Sequence, residues 1–125
     1  PCDYRVCVVG PYLYGLKRFN RPGTITASGS GKFAELDFSD DRQRKAAALA
    51  VEISRTIGTS WMAYDIVFDG DKPLVLEMSS AWTMESYKDC RLYTHELVKT
   101  ALKGMDSFGV AVDLLVSARE QRAVA

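Results

Sequence analysis

Apolar and polar positions alternate with period two at both ends of a central helical stretch. Residues 5–10 (RVCVVG) and 12–19 (YLYGLKRF) are rich in β-branched and aromatic side chains, and Gly10-Pro11 between them predicts a hairpin. Residues 20–32 (NRPGTITASGSGK) read as a long Gly/Ser/Thr-rich loop, and loops of this length in a compact domain tend to be functional or mobile. Residues 33–38 predict a brief strand. A helix then begins at a cap on Ser39 or Asp40, with Gln43 in the capping-box position after Asp40. Ala46, Leu49, Ala50, Ile53 and Ile57 recur at helical spacing until Gly58 ends the run. Residues 61–69 (WMAYDIVFD) and 73–79 (PLVLEMS) read as a second hairpin around Gly70-Asp71-Lys72. Residues 82–90 are irregular, 92–105 predict a second helix, and 108–125 predict a third with a polar end, so that 106–125 is a helical tail. The sum is an α+β layout, an antiparallel sheet with helices packed on one face.

The second hairpin carries the most informative chemistry. If its loop is Gly70-Asp71-Lys72, Asp69 pairs with Pro73, and four steps back on each strand set Asp65 opposite Glu77. Facing side chains have Cβ atoms about 5 Å apart, and like charges there destabilise a sheet unless something positive lies between them. Glu77 and Ser79 share a face because side chains alternate along a strand. Two carboxylates and a hydroxyl are hard oxygen donors suited to Mg²⁺. Trp61, Ala63, Val67 and Val75 are expected on that face, which argues against acids that simply point into water. A two-residue turn would slip the register by one and separate the pair.

Composition bounds the remaining choices. The 125 residues make one domain (1–125), and 47% hydrophobic with 26% charged residues suit a soluble globular core. Sixteen basic residues balance sixteen acidic ones, which gives no global pull toward nucleic acid or membrane. Lys17, Arg18 and Arg21 nevertheless make a local basic patch. Cys2, Cys7 and Cys90 lack metal-site spacing and fit a reducing, cytoplasmic setting. The chain opens at Pro1 with a strand close behind, and it is expected to be a piece of a longer protein. His95, the only histidine, has no linked nucleophile and reads as a surface or packing residue. Ser28, Gly29, Ser30, Gly31 and Lys32 do not make a Walker loop: Thr26 stands where the first glycine is needed and Phe33 follows the lysine. Their backbone N–H groups could still wrap anionic oxygens.

From Asp3 to Ser80 the order of motifs resembles the C-terminal lobe of the ATP-grasp fold, the superfamily of glutathione synthetase, D-alanine–D-alanine ligase and the ribosomal-protein glutamate ligases. The likeness rests on D-x-R (Asp3, Arg5), V-V-G (residues 8–10), the basic strand end Lys17-Arg18, the Gly-rich loop, A-x-x-I-x-x-x-x-G (Ala50, Ile53, Gly58) and D-x(11)-E-x-S (Asp65, Glu77, Ser79). It is closer still to a subset carrying R-F-N-R-P, A-S-G-S-G-K and E-x-S. The resemblance implies an ATP- and Mg²⁺-dependent carboxylate–amine ligase acting through an acyl phosphate. Asp65, Glu77 and Ser79 would hold two metal ions, the second weakened because Ser79 replaces the usual Asn. Arg18, and secondarily Arg5, would contact the transferring phosphoryl group. Lys17 and Ser28 to Lys32 would cover the ATP phosphates, and Leu76 would meet the adenine. An N-terminal lobe that completes the nucleotide site is expected outside this chain, and a homo-oligomer is compatible with the apolar surface such a lobe would leave. Ala81-Trp82 stands where the family often has Pro-Gly, so the acid and amine substrates do not carry over. The alternatives are a small-molecule kinase on the same fold and a degenerate lobe that serves as a binding module.

Overall fold

The computed structural model describes residues 2–20 and 32–124. In chain order the elements are β1 (Cys2–Val9), β2 (Tyr12–Phe19), β3 (Phe33–Glu35), α1 (Asp41–Ile57), β4 (Trp61–Asp69), β5 (Lys72–Ser79), β6 (Arg91–Thr94), β7 (Lys99–Lys103), a 3₁₀ turn (Gly104–Asp106) and α2 (Ser107–Val124). The strands form one antiparallel seven-stranded sheet in the order β5-β4-β1-β2-β6-β7, with β3 joined to β2. The α+β class expected from the alternation is therefore the class observed.

The central strand β1 is covered on both sides, which explains its unbroken apolar run at residues 6–9. Tyr4, Val6 and Val8 join Leu13, Tyr64 and Ile66 beneath α1. Cys7 and Val9 join Tyr14, Leu16 and Ala63 on the other face, under Tyr87, Cys90 and Leu92, with Val110 of α2 packed against them. Helix α1 starts where the capping pattern puts it. Asp40 accepts from the Arg42 amide at 2.9 Å, and Gln43 donates back to it at 3.0 Å. Its buried side is Gln43, Ala46, Ala47, Ala50, Val51 and Ser54, so the helix is rotated from the expected stripe and Ile57 stays 51% exposed. The alanines let the helix lie close to the sheet, where the Ser54 and Tyr64 hydroxyls meet at 2.6 Å.

The helix expected at 92–105 is not formed. Those residues make β6 and β7, linked by a turn in which Leu97 adopts φ 65° and the Thr94 hydroxyl accepts from the Val98 amide. Tyr12 and Leu13 pair with Thr94 and Tyr93 along the edge of β2 left open by the short β3. Completing that edge and burying Leu92 outweigh the weak helical spacing of the segment. Helix α2 does form. It leaves Met105 before it, and Phe108, Val112, Leu115 and Val116 along it, largely exposed. Among the described residues no helix is long and apolar enough to cross a membrane.

The β4–β5 hairpin departs from expectation twice. Its loop is the two residues Gly70-Asp71, with Asp69 paired to Lys72 and Phe68 to Pro73. Gly70 sits at φ 60°, at the position where a II′ hairpin turn takes glycine. A bulge then intervenes between the Ile66–Val75 and Asp65–Glu77 pairs, with Leu76 as the extra residue. The shorter turn shifts the register by one and the bulge shifts it back. Asp65 faces Glu77 as expected, while Val75 moves to the α1 face and packs against that cluster.

Gly15 on β2 shows how tightly β1 is held. A Cβ there would fall within the contact radius of the Arg5 carbonyl oxygen, a backbone atom with no rotamer to escape into. Gly15→Ala is expected to lower stability by about 2–3 kcal/mol, read from the urea midpoint at unchanged m-value.

Candidate functional site

Four strands deliver one charged group each, or two, to the sheet face opposite α1. The β1–β2 register sets Asp3 beside Arg18, the β1–β4 register sets Arg5 beside Asp65, and the β4–β5 register adds Glu77. Arg5 donates to Asp65 through Nε at 2.6 Å and Nη2 at 2.8 Å. Arg18 grips Asp3 in the same forked way, with both bonds at 2.7 Å. The Arg18 Nη2 also reaches Asp65 Oδ1 at 3.1 Å, so the pairs join in a chain Asp3–Arg18–Asp65–Arg5. Bidentate guanidinium–carboxylate pairs are the strongest and most directional of ordinary ion pairs.

The lattice is mostly withdrawn from water: the side chain of Asp65 is 9% exposed, Asp3 12%, Arg18 14% and Arg5 18%. Hydrogen bonding to Asp65 drives the Arg5 pKa above its usual value despite burial. At Arg18 burial pulls the pKa down, but Asp3 and Asp65 more than offset it and the net direction is up. Both side chains are fixed cations. The buried Tyr87, from the segment between β5 and β6, lies near Arg5 and favours its charged form.

The like-charge pair Asp65/Glu77 is thus tolerated because arginines neutralise Asp65. Glu77 itself is exposed and makes no hydrogen bond or ion pair with the described residues. The Ser79 hydroxyl donates to the Ala81 carbonyl at 2.7 Å and accepts from the Ala81 amide at 3.3 Å, closing a small turn. Leu76 is the bulge residue beside Glu77 and is 67% exposed.

Not every expected residue gathers here. Lys17 pairs with Tyr4 and therefore faces the α1 side, its Nζ 5.2 Å from the centre of the Phe19 ring. Lys32 sits at the mouth of the long loop, where its carbonyl accepts from the Phe19 amide at 3.0 Å. Ser28, Gly29, Ser30 and Gly31, with Arg21, lie outside the described residues. Asp3 had a readable signal: with Gly10-Pro11 as a two-residue turn, Val9 faces Tyr12 and Asp3 must face Arg18. Tyr87 lies in an irregular segment, where no strand register fixes its partner.

Mg²⁺ carried in on phosphates is the ion to weigh against this donor set. Such ions take one or two carboxylates and complete their shell with phosphate oxygens and water. Asp65 and Glu77 are the two carboxylates that face each other here, and both oxygens of Asp65 already accept from Arg5. A free cation finds less, since among the described residues no three His, Cys, Asp or Glu side chains gather for a metal. No protein-family model matches the sequence, and no curated protein matches it.

Proposed function

We propose that this chain is the metal- and phosphate-binding lobe of an ATP- and Mg²⁺-dependent carboxylate–amine ligase. The observation that carries the reading is the facing pair Asp65/Glu77 on a sheet face that also presents Arg18 and Arg5. The long loop 20–32 leaves from the strand end that bears Arg18. In this reaction the γ-phosphoryl group passes from ATP to a carboxylate. An amine then attacks the acyl carbon, and phosphate leaves as the amide forms. Catalysis of this kind rests on position and charge neutralisation.

The residues divide that work. The Arg18 fork meets the oxygens of the transferring phosphoryl group, and Arg5 keeps the Asp65 carboxylate oriented. Asp65 and Glu77 would hold Mg²⁺, which supplies charge neutralisation and a template for the phosphates when bound. Ser79 adds a hydroxyl once its turn with Ala81 opens. The adenine and the substrates are assigned to Leu76 and to protein surface beyond this lobe. Exposed Leu74, Leu76 and Met78 on the edge strand β5 support that assignment. The apolar face of α2 supports association with further protein, a second copy included. A cytoplasmic location belongs to the same reading.

One observation favours a second reading. Asp65 already has two guanidinium partners, and a binding module that keeps the lattice only for structure would look the same at that residue. Titration of the chain with a non-hydrolysable ATP analogue separates the two. The ligase reading expects binding that weakens about tenfold or more when Mg²⁺ is withdrawn. Binding insensitive to Mg²⁺, or none, contradicts it. Once a carboxylate substrate is found, hydroxylamine trapping of the acyl phosphate distinguishes ligase from kinase.

A further inference from the structure

We propose that Asp3 is an internal stand-in for an anionic ligand: its carboxylate occupies the Arg18 fork at rest and is displaced when a phosphoryl group arrives. The inference rests on the reading above, in which phosphate oxygens visit Arg18. Its geometric basis is separate from the metal pair.

Arg18 presents one edge, Nε and Nη2, and both atoms donate to the two oxygens of Asp3 at 2.7 Å. That edge is the one a phosphate uses for bidentate recognition, and a carboxylate satisfies it equally well. A third contact, the ion pair from Nη2 to Asp65 at 3.1 Å, is longer and keeps the guanidinium beside the carboxylate assigned to the metal. Asp65 is differently placed. Its oxygens are shared between Arg5 and Arg18, so displacing it disturbs two cations. Asp3 accepts from Arg18 alone among the described hydrogen bonds, and releasing it disturbs one.

Position makes the exchange practicable. Asp3 is the second residue of β1 and Arg18 the penultimate residue of β2, so the pair sits at the sheet margin. The mouth of loop 20–32 closes next to it through the Phe19–Lys32 bond. Two arginines and two aspartates leave the resting lattice neutral. Replacing the Asp3 carboxylate with a phosphoryl oxygen pair keeps Arg18 neutralised throughout, so no bare buried guanidinium is exposed on the way. The consequence is a built-in competitor. Apparent anion affinity falls by the fraction of molecules in which Asp3 already fills the fork. Ligands able to bring other contacts, from a metal, overcome it, whereas simple anions do so poorly.

The test is tripolyphosphate binding without Mg²⁺, by isothermal titration, to the wild type, Asp3→Asn and Asp3→Asn/Arg18→Lys. The expected result is about tenfold tighter binding to Asp3→Asn, with the gain lost in the double variant. Equal or weaker binding to Asp3→Asn, with binding still dependent on Arg18, overturns the stand-in role and leaves the phosphate site intact. Binding by none of the three overturns both. Should Asp3→Asn fail to fold, the wild type decides the question by NMR. On adding tripolyphosphate the Arg18 Nε–Hε and Asp3 carboxyl resonances are expected to move together. An Asp3 resonance that stays fixed at saturation overturns the proposal.

Discussion

Asp65→Asn is expected to lower stability by about 3 kcal/mol, the largest effect of any single change in the lattice. The substitution removes a charge 9% exposed from between two guanidinium groups that are themselves mostly buried. Arg18 retains its fork on Asp3. Arg5 loses its charge partner and one of its two short bonds, since the amide of Asn can accept through its oxygen alone. A buried charge without a partner costs more than the pair was worth, because its desolvation is no longer offset. Urea denaturation of wild type and variant measures the loss. The double variant Arg5→Met/Asp65→Leu is expected to recover most of it, since replacing both partners with apolar groups removes the uncompensated charge. A loss under about 0.5 kcal/mol in Asp65→Asn would mean that the lattice is looser than these distances imply.

Glu77→Gln is expected to do the reverse. Glu77 is exposed and has no partner among the described residues, so stability should stay within about 0.5 kcal/mol, or rise slightly as the like charge facing Asp65 disappears. Mg²⁺-dependent binding of the ATP analogue should fall by about a hundredfold, because one of only two carboxylates for the metal is gone. Side-by-side titration and denaturation of this variant separate function from structure cleanly. Asp65 cannot do so, since in the proposed reading it serves both. A variant that binds Mg²⁺ and nucleotide normally would remove Glu77 from the site.

The opposition of Asp65 and Glu77 was legible in the sequence for a reason that was partly fortunate. The alternation of residues 61–69 and 73–79 identified both strands, and Gly70 marked the turn. The actual turn is one residue shorter, and the bulge at Leu76 compensates. A bulge residue with an apolar, exposed side chain has no signature that sets it apart from an ordinary edge-strand residue. Val75 shows the result: strict alternation puts it beside Asp65, and the bulge turns it toward α1. The face of Arg5 and Arg18 was legible from the first hairpin. The pairing of Arg18 with Asp3 follows from the same register. Residues 92–105 were misread because their strand pairing is non-local. Nothing in LYTHELVKTALKGM announces that β2 has an open edge, which only the assembled sheet creates. Lys17 follows Arg18 in sequence logic but not in space, since adjacent strand residues point to opposite faces.

The central claim is that Asp65, Glu77 and Arg18 together receive a metal–phosphate group, and Mn²⁺ in place of Mg²⁺ tests it most directly. Titrating Mn²⁺·tripolyphosphate into the isotope-labelled protein should broaden first the amide resonances around Asp65, Glu77 and Arg18, with Lys17 and the α1 face affected later. Glu77→Gln should abolish that early broadening without changing the rest of the spectrum. Broadening that starts at acidic residues elsewhere, or that persists unchanged in Glu77→Gln, would contradict the account.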